Sequence, residues 1–220
     1  MAGVSKQDKL LSGGTVDRVS SGVPGFDVLV QGGFPKGFAV LVSGSPGTGK
    51  TIFGLQFLVD GLKNGETCGY ITYSQSPKDI KDQAAQFGWS IGSLEFVELK
   101  SEDFAEGLSG KSYDRLVVDS LSSVAVMTRG SLGSFIGKLK KMGCTALLIS
   151  ELPKESMWLS RDTISEFLCD GVILLKSVEA AGEVKNLLKV EKMRSTKIEQ
   201  KSNIYNITSK GFEVKTYKAR

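Results

Sequence analysis

Apolar and polar residues follow two periods along the chain. Short apolar runs rich in β-branched residues predict strands at 38–43, 68–73, 94–99, 115–119 and 145–150. Apolar residues spaced three to four apart predict helices between these strands, at 51–62, 77–87 and 132–142. Strands that alternate with helices predict an α/β fold with a mainly parallel sheet wrapped by helices.

The pattern changes after residue 171. Three further apolar runs, at 172–175, 186–191 and 203–207, are separated by turn residues and predict strands without helices between them. That spacing is typical of antiparallel hairpins at a sheet edge. With no internal repeat and no linker, residues 15–220 are expected to form a single domain, whereas the polar and small residues 1–14 are expected to be disordered.

A glycine-rich segment separates the first predicted strand from the first predicted helix. It completes the pattern G-x-x-x-x-G-K-[ST] with Gly44, Ser45, Pro46, Gly47, Thr48, Gly49, Lys50 and Thr51. Glycines allow successive backbone N–H groups to point at phosphate oxygens, and the helix that follows adds its positive dipole end. The lysine is expected to contact the β and γ phosphates, and the final threonine to coordinate Mg²⁺. The segment therefore predicts a nucleotide-phosphate site.

The amino-acid composition excludes or disfavours several kinds of active site and metal site. The 220 residues include no histidine, which excludes histidine-based triads and histidine-ligated metals. The formal net charge of +4 is mild, and the three cysteines, which are far apart, favour neither a disulfide framework nor a zinc site. Because no apolar run reaches the ~18 residues of a membrane span and the N-terminus is polar, a cytoplasmic protein is expected.

Asp119 is the second chemical signal, because it ends the apolar strand 115–119. The carboxyl ends of parallel strands converge on the ligand crevice of such a sheet. Asp119 is therefore expected beside the phosphate loop, where it could hold Mg²⁺ directly or through water, as a Walker B aspartate does.

Several segments together resemble a known family over nearly the whole chain. These segments read SSGVPGFD at 20–27, QGGFPKG at 31–37 and KMRST at 192–196. They resemble the RecA superfamily, specifically its KaiC-like branch and the archaeal RadA paralogues. The resemblance implies a RecA-like P-loop NTPase core that binds ATP and Mg²⁺ and assembles as a ring or filament of identical copies, or with a RadA-type protein partner. It also implies that Lys192 and Arg194 reach the γ-phosphate bound by a neighbouring subunit.

One position departs from the family pattern. Ser74 and Gln75 stand where KaiC-like ATPases usually carry a pair of glutamates, one of which activates the attacking water. Glutamine can orient a water but cannot accept its proton, and general-base assistance typically contributes ~10²–10⁴ in rate. We expect either an ATP-binding protein with slow or impaired turnover, or a site in which Glu151 supplies the missing carboxylate.

RecA-type proteins bind single-stranded DNA through loops that here correspond to residues 122–130 and 152–162. The basic and aromatic candidates for that contact are Arg129, Lys154, Trp158 and Arg161. Three functions stay open at this point: a recombinase paralogue that assists DNA repair, an ATP-switched regulatory or signalling module that binds a protein and not DNA, and an ATPase motor.

Overall fold

A computed structural model describes residues 16–73, 75–98, 108, 110–123, 129–180 and 182–215. Its helices are α1 (Lys50–Lys63), α2 (Pro77–Gln86), α3 (Arg129–Lys141) and the short α4 (Ser165–Leu168). Its strands are β1 (Arg18–Val19), β2 (Phe34–Pro35), β3 (Ala39–Gly44), β4 (Cys68–Thr72), β5 (Glu95–Glu98), β6 (Arg115–Asp119), β7 (Thr145–Glu151), β8 (Gly171–Ala180), β9 (Glu183–Met193), β10 (Ser202–Thr208) and β11 (Gly211–Val214). In the described part of the chain, no helix has the length and apolar content needed to cross a bilayer.

Nine of these strands form one mixed sheet in the order β11-β10-β9-β8-β3-β7-β6-β4-β5. The strands from β8 to β5 in that order pair in parallel, and β9, β10 and β11 add antiparallel pairs at one edge. This topology confirms the predicted α/β fold with its antiparallel C-terminal edge. The separate pair β1–β2 was not predicted.

The sheet is covered on both faces. Side chains alternate between the faces of a strand, so neighbouring residues of β3 enter different cores: Val40 packs in the core that contains α1, and Leu41 in the core that contains α3. Central strands that are buried on both sides read as continuous apolar runs, and this explains why β3, β6 and β7 were recognisable in the sequence.

Element boundaries differ from the predictions mainly at the ends. Helix α3 begins at Arg129 rather than at residue 132, β8 and β9 are longer than predicted, and β11 was missed. The predicted start of α2 is confirmed, because Ser76 caps it and forms a capping box with Asp79. The disorder expected for residues 1–14 concerns positions outside the described residues.

A buried arginine at the start of β6 holds α1 against the segment that precedes β2. Arg115 forms ion pairs with Asp60, at 3.1 Å, and with Glu66. Its guanidinium also donates to the carbonyls of Ser20, at 2.9 Å, and Phe57, at 2.8 Å. The cation therefore joins three parts of the fold that are distant in sequence, and the sequence patterns gave no sign of it.

Candidate nucleotide-binding site

The glycine-rich segment forms a loop between β3, which ends at Gly44, and α1, which begins at Lys50. Gly47 and Gly49 have φ angles of 82° and 84°, in the left-handed region that side chains with a Cβ rarely adopt. A Cβ on Gly44 would lie 2.5 Å from the carbonyl oxygen of Leu175 in β8. The loop conformation therefore requires glycine at these positions, as the motif predicted.

Lys50 is buried and curls back over the loop. Its ammonium donates to the carbonyl of Ser45 at 3.0 Å, and the hydroxyl of Thr48 donates to the same oxygen at 2.8 Å. Burial lowers the pKa of Lys50, while the charges of Glu151 and Asp119 act in the opposite direction. A buried ammonium whose hydrogen-bond acceptor is a neutral carbonyl would gain a stronger partner in a phosphate.

Asp119 lies beside the start of α1, as predicted. Its Oδ2 accepts hydrogen bonds from the hydroxyls of Thr51, at 2.7 Å, and Tyr70, at 2.8 Å. Burial raises the pKa of Asp119, and those two hydrogen bonds and the charge of Lys50 act against the rise. A hydroxyl and a carboxylate this close are the hard oxygen donors that Mg²⁺ prefers, so the residues fit the ion. Sequence reasoning missed Tyr70, which reaches Asp119 because β4 pairs with β6.

The two candidates for activating water differ in placement. Gln75 is exposed, and its backbone is fixed by Thr72, whose hydroxyl donates to the Gln75 carbonyl at 2.7 Å. Glu151 is the exposed last residue of β7, where it pairs with Gly44 at the start of the phosphate loop. Glu151 therefore stands at a strand end beside the loop, Gln75 follows the end of β4 by three residues, and Ser74 lies outside the described residues.

Lys192 and Arg194 lie at the other end of the sheet. The ammonium of Lys192 donates to the carbonyls of Cys169, at 2.6 Å, and Glu166, at 3.0 Å. Arg194 donates to the buried carboxylate of Asp170 at 2.8 Å. Burial, followed by the like charge of Arg194, lowers the pKa of Lys192. The structure thus brings these two residues together at the end of β9, away from the loop of their own chain.

The candidate DNA residues occupy two places. Lys154, Trp158 and Arg161 are exposed in the segment between β7 and α4, and Arg129 is exposed at the first position of α3. Part of the other predicted loop, residues 124–128, lies outside the described residues. Lys154 also lines a groove of about 640 Å³ that runs from Ser45 of the phosphate loop along β8. The 152–162 loop therefore adjoins the nucleotide site.

A further set of residues lies behind the phosphate loop and was missed by sequence reasoning. The hydroxyl of Tyr205 in β10 donates to the carbonyl of Thr48 at 2.7 Å. Gln56 of α1 donates to the carbonyls of Gly22 and Phe212, and its Oε1 accepts from the N–H of Phe212 at 2.8 Å. These contacts join positions up to 157 residues apart, which no local pattern could reveal.

Comparisons with known proteins agree with this geometry. A family model for the KaiC ATPase matches residues 19–113 and 96–219. A UPF0273 protein of Pyrococcus furiosus is 32% identical, and the match covers 90% of this chain and 94% of that protein. The circadian clock protein KaiC3 of Synechocystis is 28% identical over 82% of this chain, but the match covers only 42% of the clock protein.

A solved structure shows the same fold. The KaiC-like protein of Pyrococcus horikoshii has a TM-score of 0.82 and 34% identity, and the match covers 91% of this chain and all of that chain. The sequence and structure matches therefore point to the same family as the site does, with its phosphate loop, its buried Asp119 and its sheet order. The chain belongs to the KaiC-like branch of the RecA superfamily of P-loop ATPases, and this membership supports ATP binding.

Proposed function

We propose that this chain binds ATP with Mg²⁺, hydrolyses it slowly, and uses the bound nucleotide to control an assembly that acts on single-stranded DNA as a recombinase paralogue in DNA repair. The observation that carries the proposal is a contrast within one site. Lys50 offers an ammonium beside the loop, and Thr51 and Asp119 offer a hydroxyl and a carboxylate in hydrogen-bond contact, which are the groups that a metal-bound triphosphate would need. Gln75, where the family resemblance expects a glutamate, offers an amide that cannot take up a proton.

Each residue of the site has a separate task. The backbone N–H groups of the loop and the ammonium of Lys50 bind phosphate oxygens. Thr51 and Asp119 would hold Mg²⁺, which when bound neutralises charge on the phosphates. Gln75 can orient a water through its amide but leaves that water without a base. The site thus has all the groups that ATP binding needs, but it has no base at Gln75 for the proton of the attacking water.

Substitution at Gln75 tests the impaired step. We expect Gln75→Glu to raise ATP turnover at least roughly tenfold, the low end of the reach of a general base, with ATP affinity little changed. The matched variant is Glu151→Gln, which removes the competing carboxylate. An unchanged rate in Gln75→Glu, together with a large loss in Glu151→Gln, would show that Glu151 acts as the base and that turnover is not impaired at Gln75.

Lys192 and Arg194 lie far from the phosphate loop of their own chain. Met193 pairs with Gly171 at the start of β8, and Gly171 pairs with Val40 near the start of β3. From Val40 to Gly44, where the loop begins, four residues of strand span about 13 Å. Because the two cations lie at the far end of that distance, we propose that they complete the site of a neighbouring subunit, where such a cation typically contributes 10³–10⁵ in rate.

Mixing two inactive variants tests this arrangement. Lys50→Ala removes phosphate binding and leaves the cations, while Arg194→Ala removes a cation and leaves the loop. If the cation acts between subunits, a mixture of the two should regain turnover at interfaces that combine the intact halves. A mixture no more active than the separate variants, under conditions in which they co-assemble, would contradict the proposal.

The DNA contact is assigned to the 152–162 loop, where an exposed indole stands near exposed cations. Trp158 is 60% exposed, although aromatic rings of that size are usually buried. An exposed ring is a platform on which a base can stack, a contact worth ~1–3 kcal/mol per base. Arg161 and Lys154 on the same loop can neutralise phosphates.

Binding to a labelled single strand at several salt concentrations checks this. We expect Trp158→Ala to weaken binding about 5- to 160-fold at every salt concentration, and Arg161→Ala to lower the slope of log affinity against log salt by about 0.7. Lys63→Ala, which removes an exposed cation at the far end of α1, is the control and should change neither quantity. Wild-type protein that does not bind DNA even at low salt would exclude the DNA function.

The same loop favours a second function, an ATP-switched regulatory module that binds a protein. Met157, which is 93% exposed, stands next to Trp158, and adjacent exposed apolar side chains are typical of protein contacts. If the protein has this function, it should capture a protein partner only when ATP is present, and it should not bind DNA. The salt series above separates the two functions, because the protein-binding module leaves the DNA affinity near zero in wild type and variants alike.

A further inference from the structure

Tyr205 lies against the back of the phosphate loop. The side chain belongs to β10 and is fully buried. Its hydroxyl donates to the carbonyl oxygen of Thr48 at 2.7 Å. Burial raises the pKa of this hydroxyl, so the group keeps its proton and remains a donor at any physiological pH. The contact is therefore a hydrogen bond to the backbone of the loop that a change of pH in the physiological range does not remove.

The hydrogen bond to the Thr48 carbonyl also determines where the N–H of Gly49 points. In a planar trans peptide the C=O of one residue and the N–H of the next point in opposite directions. The carbonyl of Thr48 accepts from Tyr205, so the N–H of Gly49 points away from that side chain. Backbone N–H groups that point outward from such a loop are the groups that bind phosphate. Gly49 has a φ of 84° and no Cβ, so little in its own backbone prevents this peptide from turning over.

The hairpin formed by β10 and β11 packs against the loop and against α1 around that hydrogen bond. The ring of Tyr205 stacks on Phe212 of β11, with ring centres 4.2 Å apart, and Phe212 packs edge-on against Phe53 of α1 at 5.2 Å. Ile207 of β10 closes over Gly49, where its Cδ1 would lie 2.5 Å from a Cβ on that glycine. The hairpin thus contacts the loop at two neighbouring residues and the helix after it.

We infer that Tyr205 is a positioning residue for nucleotide binding: its hydroxyl fixes the Thr48–Gly49 peptide so that the Gly49 N–H is already aimed at a phosphate of the incoming nucleotide. The inference rests on the proposed binding of ATP. It adds that part of the phosphate affinity resides in the C-terminal hairpin, outside the glycine-rich motif. Without the hydroxyl, the loop would have to order this peptide at the moment of binding, which weakens the complex.

The test compares equilibrium binding of Mg·ATP by the full chain and its Tyr205→Phe variant, at a temperature well below the melting point of both. We expect the dissociation constant of the variant to rise about three- to tenfold, as for the loss of one neutral hydrogen bond that acts in the complex. We also expect the amide resonance of Gly49 in the free variant to show exchange broadening that the wild type lacks. Tyr113→Phe, which alters a buried tyrosine of the opposite core, is the matched control and should bind as the wild type does.

Each outcome has a definite meaning. ATP affinity in Tyr205→Phe equal to the wild type, or an equal loss in Tyr113→Phe, would overturn the inference while the proposed function stands. Wild-type protein that does not bind Mg·ATP would overturn both. If Tyr205→Phe does not fold, the free wild-type protein decides: a Gly49 amide resonance that is sharp before Mg·ATP is added supports the inference, and a broadened resonance that sharpens only when Mg·ATP binds refutes it.

Discussion

Arg115 offers a test of how the nucleotide-binding helix is held in the fold. Arg115→Met keeps an unbranched apolar stem and removes the charge and the donors of the guanidinium. Asp60 and Glu66 would lose their cation, and the carbonyls of Ser20 and Phe57 would lose a charged donor. The free energy of unfolding should therefore fall.

The magnitude follows from burial. Removing one partner of a buried ion pair typically costs 3–5 kcal/mol. The arginine side chain is 2% exposed, but the two carboxylates are 25% and 27% exposed and would stay partly hydrated. The lower end of the range, about 3 kcal/mol, is therefore expected. For a chain of this length that corresponds to a fall of roughly 6–12 °C in melting temperature.

Urea unfolding of the nucleotide-free protein measures this difference. Lys111→Met is the control, because the Lys111–Glu95 pair is exposed and such pairs contribute less than about 1 kcal/mol. If Arg115→Met loses less than about 1 kcal/mol, or no more than Lys111→Met, then the buried cation does not hold α1 in place and this part of the account is wrong.

Two further predictions concern other parts of the fold. Ser76→Ala should lower the free energy of unfolding by about 1 kcal/mol in urea titrations, because it removes the cap of α2. The Ser76 bonds lower the pKa of Asp79, so the capping box is intact at neutral pH and the effect of Ser76→Ala should shrink as the pH falls below 3.8; an effect independent of pH would contradict this. The three cysteines are buried, and burial raises the pKa of each thiol to about 12. A thiol reagent at pH 8 should therefore label none of them in native protein and all three in denaturant, and rapid native labelling would refute their burial.

The sequence predicts those features of the fold and the site that depend on residues close together along the chain. The phosphate loop requires glycine at fixed offsets between a strand and a helix, so Gly44 to Thr51 could be assigned from the pattern alone. The strand that ends at Asp119 is buried on both faces and reads as an apolar run, which placed the carboxylate at the correct edge of the sheet.

The parts that escaped prediction depend on contacts between distant segments. Tyr70 meets Asp119 through the pairing of β4 with β6, and Tyr205 meets the loop from the opposite end of the chain. Arg115 looks in the sequence like an ordinary polar residue before a strand, and only the packed fold shows it as a buried cation. Side-chain partners of this kind are set by topology, which local periodicity does not encode.

The most direct test of the central claim is to measure ATP binding and steady-state hydrolysis by the same purified protein with Mg²⁺, with Lys50→Ala as the control. We expect saturable ATP binding that Lys50→Ala abolishes, together with a turnover number well below ~1 s⁻¹, the lower end of typical enzymes. Folded wild-type protein that does not bind ATP would contradict the assignment of the site. Turnover at ordinary enzymatic rates that Lys50→Ala abolishes would contradict the impaired step at Gln75.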